Sequence, residues 1–169
     1  LQTMFSAERD RGDGIDFVAI VTPNYNHLPS ARAALEAGFP VISDKPMTAT
    51  LAEARELAAA VAEAGLPYGL TFTYTGYPLV REMRERIAAG AIGKLRKVVV
   101  EYPQGWLARE AEGKQAEWRM DPERAGAGGC IGDIGVHAFN LAEFVTGQRV
   151  SEVLPDLAAV VPGRTLDDD

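Results

Sequence analysis

Short continuous apolar runs alternate along the first half of the chain with longer stretches whose apolar positions recur every three or four residues. Asp16 to Thr22 (DFVAIVT) is rich in Val and Ile, as expected of a parallel strand covered on both faces, and Pro23 ends it. Residues 27–37 (HLPSARAALEA) are helix formers, with Asn24 or Asn26 available as cap and Gly38 as stop. A second apolar strand, Pro40 to Ser43, follows. Thr50 and Glu53 form a T-x-x-E capping box ahead of an Ala-rich helix, 51–64, closed by Gly65, and Tyr68 to Thr73 reads as a third strand. Strand, helix, strand, helix, strand at these spacings allows right-handed crossovers, so residues 16–73 read as one half of a doubly wound parallel sheet.

After Tyr74 the pattern changes. A helix from about Leu79 to Ala89 stops at Gly90, a strand runs from Lys94 to Tyr102, and a polar, Gly-rich stretch occupies 103–129. A helix near 133–146, stopped at Gly147, and a strand near 150–161 complete the pattern, which reads as a second domain. The stretch 103–129 is long for a connection inside a compact domain, which points to a functional segment or one ordered by something it binds. The chain opens on LQTMF, read as the tail of a helix, and closes on the charged run Asp167 to Asp169; both ends suggest a fragment.

Composition narrows the function more than the fold. With 169 residues, 47% hydrophobic and 24% charged, the chain can bury one medium core or parts of two. A net charge of -7 and a pI near 4.9, with no basic stripe, argue against a nucleic-acid partner. No apolar run approaches a membrane span and no export signal opens the chain. The single Cys130 cannot form a disulfide within the chain, which fits a cytoplasmic setting.

Ligands of open parallel sheets bind beyond the carboxyl ends of the strands. Two corners lie there: Thr22-Pro23-Asn24 followed by His27, and Asp44-Lys45-Pro46, where Pro46 holds Lys45 extended. From the residues alone, a lone Lys45 reads first as an exposed solubilising charge. In GGCIGDIGVHAFN (128–140), Asp133 and His137 lie four apart on one helix face together with Asn140, away from the apolar stripe. An N-cap role for Asp133 and a surface role for His137 stay open. The glycines at 126, 128, 129, 132 and 135 suggest close approach of a ligand or another element. His27, His137 and Cys130 are too few to make a metal site, so none is expected, and Cys130 reads as a packed thiol.

Taken together, TPNYNH (22–27), DKP (44–46) and GGCIGDIGVH (128–137) resemble the glucose-fructose oxidoreductase, inositol dehydrogenase and MocA family. YTGYP (74–78), IAAGAIGKLRKV (87–98) and Trp118-Arg119 extend the resemblance over nearly the whole chain. It implies the second half of a Rossmann-type parallel sheet in a partial NAD(P)-binding domain, 1–73. A partial substrate and oligomerisation α+β domain, 74–169, would follow, with an open, mostly antiparallel sheet. The glycine-rich dinucleotide motif is not found, and would lie upstream.

The resemblance also implies an enzyme that passes hydride from a hydroxyl carbon of a sugar, inositol or related polyol to NAD or NADP. His137 would be the general base, Asp133 would bind or orient substrate, and Lys45 would bond the reacting oxygen, with a Lys45-Pro46 peptide that can be cis. Thr22, Pro23, Asn24, His27, Asp44, Lys45 and Pro46 would line the cofactor, Asp44 replacing the family's usual Glu. Tyr74, Trp118, Arg119 and Asn140 are substrate-pocket candidates. A homo-oligomer is expected of the full-length protein, and a silent nicotinamide-binding sensor or partner-binding protein on the same fold is the alternative.

Overall fold

The computed structural model describes residues 1–110 and 112–169. In chain order its elements are α1 (Gln2–Arg9), β1 (Val18–Ile20), α2 (His27–Glu36), β2 (Val41–Ser43), α3 (Leu51–Ala64), β3 (Tyr68–Leu70), α4 (Pro78–Ala88), α5 (Lys114–Arg119), α6 (Pro122–Ala125) and α7 (Val136–Thr146). A wider π turn, Ile131–Gly135, leads directly into α7. The elements fall into two units, Leu1–Thr71 with Asp121–Ala127, and Phe72–Met120 with Gly128–Asp169.

In the first unit the three strands pair in parallel in the order β1-β2-β3, with Val18 opposite Val41 and Val41 opposite Tyr68. Alternation of side chains along a strand sends Ile20, Val41 and Ser43 into a core with Phe5, Ala31, Ala34, Leu35, Phe39 and Leu57. The rings of Phe5 and Phe39 meet at 6.0 Å, so α1 is part of this core. The expectation of strands covered on both faces is not met: Ala19, Ile42 and Gly69 are exposed. Among the described residues only one side of each strand is packed, because the helices of this unit bury the alternate positions.

α3 begins and ends on local chemistry. Thr50 Oγ1 accepts from the Glu53 N–H at 3.2 Å while Glu53 Oε2 accepts from the Thr50 N–H at 3.1 Å, which satisfies two donors that a helix start leaves open. Gly65 closes the helix at φ 63°, a left-handed conformation that a Cβ disfavours.

In the second unit α4 packs against α7, with the Arg84 guanidinium 4.7 Å above the Phe144 ring. The stretch 103–129 carries two short helices, α5 and α6, the second of which belongs to the first unit; Ala111 lies outside the described residues. The open, mostly antiparallel sheet expected for this region is not there. Among the described residues the only sheet is the parallel one, and the expected strands 94–102 and 150–161 form no ladder.

A ladder exists only where a neighbouring backbone accepts the N–H groups. Here carboxylates take several of them: Glu143 accepts from the Val150 N–H at 3.0 Å, and Asp168 from the N–H groups of Val160 and Val161. Val99, Val153 and Leu154 stay exposed, Leu154 at 99%. β-branched composition therefore marked segments that suit a strand without supplying the partner that makes one. No helix among the described residues is long and apolar enough to cross a membrane.

Leu57 is fully buried at 0% exposure, so Leu57→Ala is expected to cost about 2–5 kcal/mol of stability. Thr50→Ala removes only the cap and is expected to cost about 1 kcal/mol. Urea unfolding followed by circular dichroism checks both, and equal losses would contradict a purely local role for Thr50.

Candidate active site

The parallel ladder delivers the ends of β1 and β2 to one edge of the sheet, and His27 ties their corners together. It is 1% exposed, its Nε2 lies 2.8 Å from the Thr22 carbonyl and its Nδ1 2.8 Å from the Pro46 carbonyl. Both ring nitrogens are therefore engaged with backbone, and the ring contributes to this edge by setting the two loops rather than by offering a free atom. Asn24 is buried and donates from Nδ2 to the Ala125 carbonyl at 2.8 Å.

Asp44 Oδ1 accepts from the Lys45 N–H at 2.8 Å and from Thr71 Oγ1 at 3.0 Å, joining the end of β2 to the residue after β3. Lys45 and Pro46 are half-buried and the peptide between them is cis. Pro23 is half-buried in the corner after β1. Thr22 Oγ1 is buried with no hydrogen-bond partner among the described residues, an arrangement that costs about 1–3 kcal/mol unless something else satisfies it.

The second unit brings together Tyr74, Trp118, Arg119, Asp133 and His137. His137, in the first turn of α7, meets the Tyr74 ring edge-on at 4.8 Å and the Phe72 ring at 5.8 Å. Tyr74 and Tyr102 share a hydrogen bond between their hydroxyls. That bond, with burial and the negative charge of Asp133 adding to it, pushes the Tyr74 hydroxyl up to about 12, so it stays protonated at neutral pH.

Asp133 pairs with Arg119 at 3.0 Å between Oδ2 and Nε, the two side chains being 19% and 22% exposed. The guanidinium lies 4.2 Å from the Trp118 ring and 5.6 Å from the Trp106 ring, and its Nη1 donates to the Gln115 carbonyl and to Gln115 Oε1. An arginine stacked and bonded on so many sides offers a fixed positive charge to the carboxylate. Asn140 is half-buried further along α7. The strand-end residues Thr22, Asn24, His27, Asp44 and Lys45 belong to the first unit. Among the described residues no group of three or more His, Cys, Asp or Glu is placed to hold a metal ion.

The start of the π turn depends on Asp167, which the sequence presents only as one of three terminal acidic residues. Its carboxylate accepts from the Gly129 N–H at 2.6 Å, the Ile131 N–H at 2.7 Å and the Cys130 thiol at 3.1 Å, and its carbonyl accepts from the Cys130 N–H at 2.8 Å. Gly129 is required for this approach, since a Cβ there would lie 2.1 Å from the Asp167 carbonyl oxygen. The glycine pair 128–129 was the signal in the sequence that something must come close, without saying what. Burial alone would raise the Asp167 carboxyl, but the bonds from Ile131, Cys130 and Gly129 outweigh it and hold the group below the usual carboxylate range. Burial and the Asp167 contact push the Cys130 thiol up to about 12.

With this geometry in place, comparison with known proteins identifies the class. Residues 2–72 match the oxidoreductase family with an NAD-binding Rossmann fold, and residues 80–169 match the GFO/IDH/MocA C-terminal domain. The chain belongs to the Gfo/Idh/MocA oxidoreductase family. It is 36% identical over 168 residues to the uncharacterized oxidoreductase YfiI of Bacillus subtilis, covering 96% of this chain and 42% of that protein. It is 33% identical over 152 residues to levoglucosan dehydrogenase of Pseudarthrobacter phenanthrenivorans, covering 90% of this chain and 38% of that protein. The crystal structure of an inositol dehydrogenase homolog complexed with NAD+ from Azotobacter vinelandii is similar at a TM-score of 0.80 and 37% identity, over 86% of this chain and 38% of that one. The chain thus spans less than half the length of each of these relatives.

Two outcomes follow from the Asp167 contacts. A thiol raised to about 12 carries little thiolate, so Cys130 is expected to react with iodoacetamide at neutral pH about a hundredfold or more slower than a free cysteine, and at the ordinary rate in denaturant. Asp167, held low, contributes stability that is present above the unfolded carboxylate range and is lost as pH falls through its depressed folded value. Asp167→Asn should therefore flatten the acid side of the stability curve and leave its slope near neutral pH unchanged, as read by urea midpoints across pH.

Proposed function

We propose that the protein is an NAD- or NADP-dependent dehydrogenase that oxidises a hydroxyl-bearing carbon of a sugar, inositol or related polyol. The observation that carries this reading is the half-buried Asp133 and His137 on one helix, walled by Tyr74 and the Arg119–Trp118 stack, in a chain of an oxidoreductase family. Levoglucosan dehydrogenase and the NAD+-bound inositol dehydrogenase homolog, both similar to this chain, support the substrate class and the cofactor. In this reading residues 1–73 serve the cofactor, and residues 74–169 serve the substrate and self-association in a cytoplasmic homo-oligomer.

The edge of the first unit suits a dinucleotide: Thr22 has an unsatisfied buried hydroxyl, and His27 and Asp44 hold the Thr22–Asn24 and Lys45-Pro46 corners in register. Thr22, Pro23, Asn24, His27, Asp44, Lys45 and Pro46 are the cofactor-lining residues of the proposal. When bound, the nicotinamide supplies the hydride acceptor. His137 takes the hydroxyl proton, the part an imidazole plays as a general base. Lys45 donates a hydrogen bond to the reacting oxygen. Asp133, its charge fixed by Arg119, orients the substrate and favours the protonated imidazole one turn away. Tyr74, Trp118, Arg119 and Asn140 supply aromatic faces and polar edges for a ring with several hydroxyls.

The test is nicotinamide reduction, followed by absorbance, with NAD and NADP separately against a panel of sugars, inositols and anhydrosugars. His137→Ala is expected to lower kcat by about 10²- to 10⁴-fold, the usual worth of a general base, and Lys45→Ala to lower it as well. Undiminished turnover in His137→Ala would remove the assignment. Cofactor binding with no turnover on any member of the panel would point instead to a nicotinamide-binding sensor.

A further inference from the structure

We propose that Asp167 is a positioning residue for the reacting pair, setting the start of the helix that carries Asp133 and His137; this rests on the functional reading of that pair. Three consecutive backbone donors, the N–H groups of Gly129, Cys130 and Ile131, end on Asp167, at its Oδ1, carbonyl oxygen and Oδ2 respectively. Donors in the first turn of a helix find no acceptor inside it, and the partial positive charge there favours a carboxylate.

The residues at the turn itself do not fill that role. Cys130 gives no side-chain cap, and Asp133, the acidic residue of the first turn, is paired with Arg119. Asp167 supplies from 36 to 38 residues away what a local cap would supply, and so leaves the Asp133 carboxylate to face Arg119 and Tyr74. The segment that carries Asp167 is itself anchored. Asp168 accepts from the Val160 and Val161 N–H groups and from Arg164 at 3.1 Å, and Arg164 also donates to the Arg109 carbonyl at 2.8 Å.

A clamp on residues 129–131 governs the direction of the π turn and the first turn of α7, and therefore where the Asp133 carboxylate and the His137 imidazole point. Misplacing reacting groups by about 1 Å can cost about 10²-fold in rate. Asp167→Ala is accordingly expected to lower kcat by roughly ten- to a hundredfold with NADH affinity, read by its fluorescence, unchanged. Asp167→Asn, which keeps one acceptor and presents an amide donor in place of the other, is expected to fall between Ala and the unaltered protein.

A second readout does not depend on turnover. Imidazole ¹H–¹⁵N spectra, with the His137 signals identified by their loss in His137→Gln, should show those signals displaced in both Asp167 variants. His27, bonded to the Thr22 and Pro46 carbonyls in the first unit, should stay in place. Asp168→Asn loosens the anchor of the same terminal segment while leaving Asp167 itself in place, and is expected to displace the His137 signals less than either Asp167 variant. Unmoved His137 signals and full kcat in Asp167→Asn would overturn the proposal, as would an equal displacement in Asp168→Asn, which would assign the effect to folding of the segment. An absence of turnover in the unaltered protein would fail the functional reading alone, because the imidazole signals would still report the clamp.

Discussion

In a parallel ladder all strands point the same way, so the residues that follow β1, β2 and β3 emerge at a single edge of the sheet. The first unit is organised around that constraint. Thr22, Asp44 and Thr71 each succeed a strand, and the polar contacts of the edge run between them: His27 spans the Thr22 and Pro46 carbonyls, and Asp44 reaches Thr71. Buried His27, with a backbone carbonyl within hydrogen-bonding distance of each ring nitrogen, links these loops above the hydrophobic core, where Val41 and Leu57 are sealed from water.

The second unit solves a different problem. Among its described residues there is no ladder to fix its geometry, and charged side chains take on part of the work that neighbouring backbone does in a sheet. Glu143 and Asp168 accept N–H groups of extended segments, Asp167 accepts three groups at the start of the π turn, and Arg119 holds Asp133. The N–H and thiol bonds that Asp167 receives hold its carboxylate ionised, while burial, together with the Asp167 contact, makes the thiol of Cys130 a poor acid. In the cluster of Tyr74, Asp133 and His137, Arg119 holds the Asp133 carboxylate and the Tyr74 ring packs edge-on against His137.

Helices α2, α3, α4 and α7 were legible in the sequence because the signals that start and stop a helix lie within a few residues of one another, as Thr50 with Glu53 and Gly65 do around α3. The parallel strands were legible for a related reason: short Val- and Ile-rich runs spaced by helices leave few alternatives. The motifs around Lys45, Asp133 and His137 were legible from their types and order, which sufficed to suggest the family that the comparisons then showed.

Three features depended on the tertiary structure. Segments 94–102 and 150–161 have strand composition, but a strand is a relation between two backbones, and no property of one segment says whether a partner will be there. Exposure of Ala19 and Ile42 depended likewise on which elements pack over the sheet. Asp167 read as one more solvated charge in an acidic run, and only the folded chain brings it to Gly129 and Ile131. Local sequence determined the helices, the helix stops and the chemical inventory of the site, since those depend on neighbours along the chain. Which carboxylate holds which backbone group was decided by tertiary structure, because it depends on approach across dozens of residues.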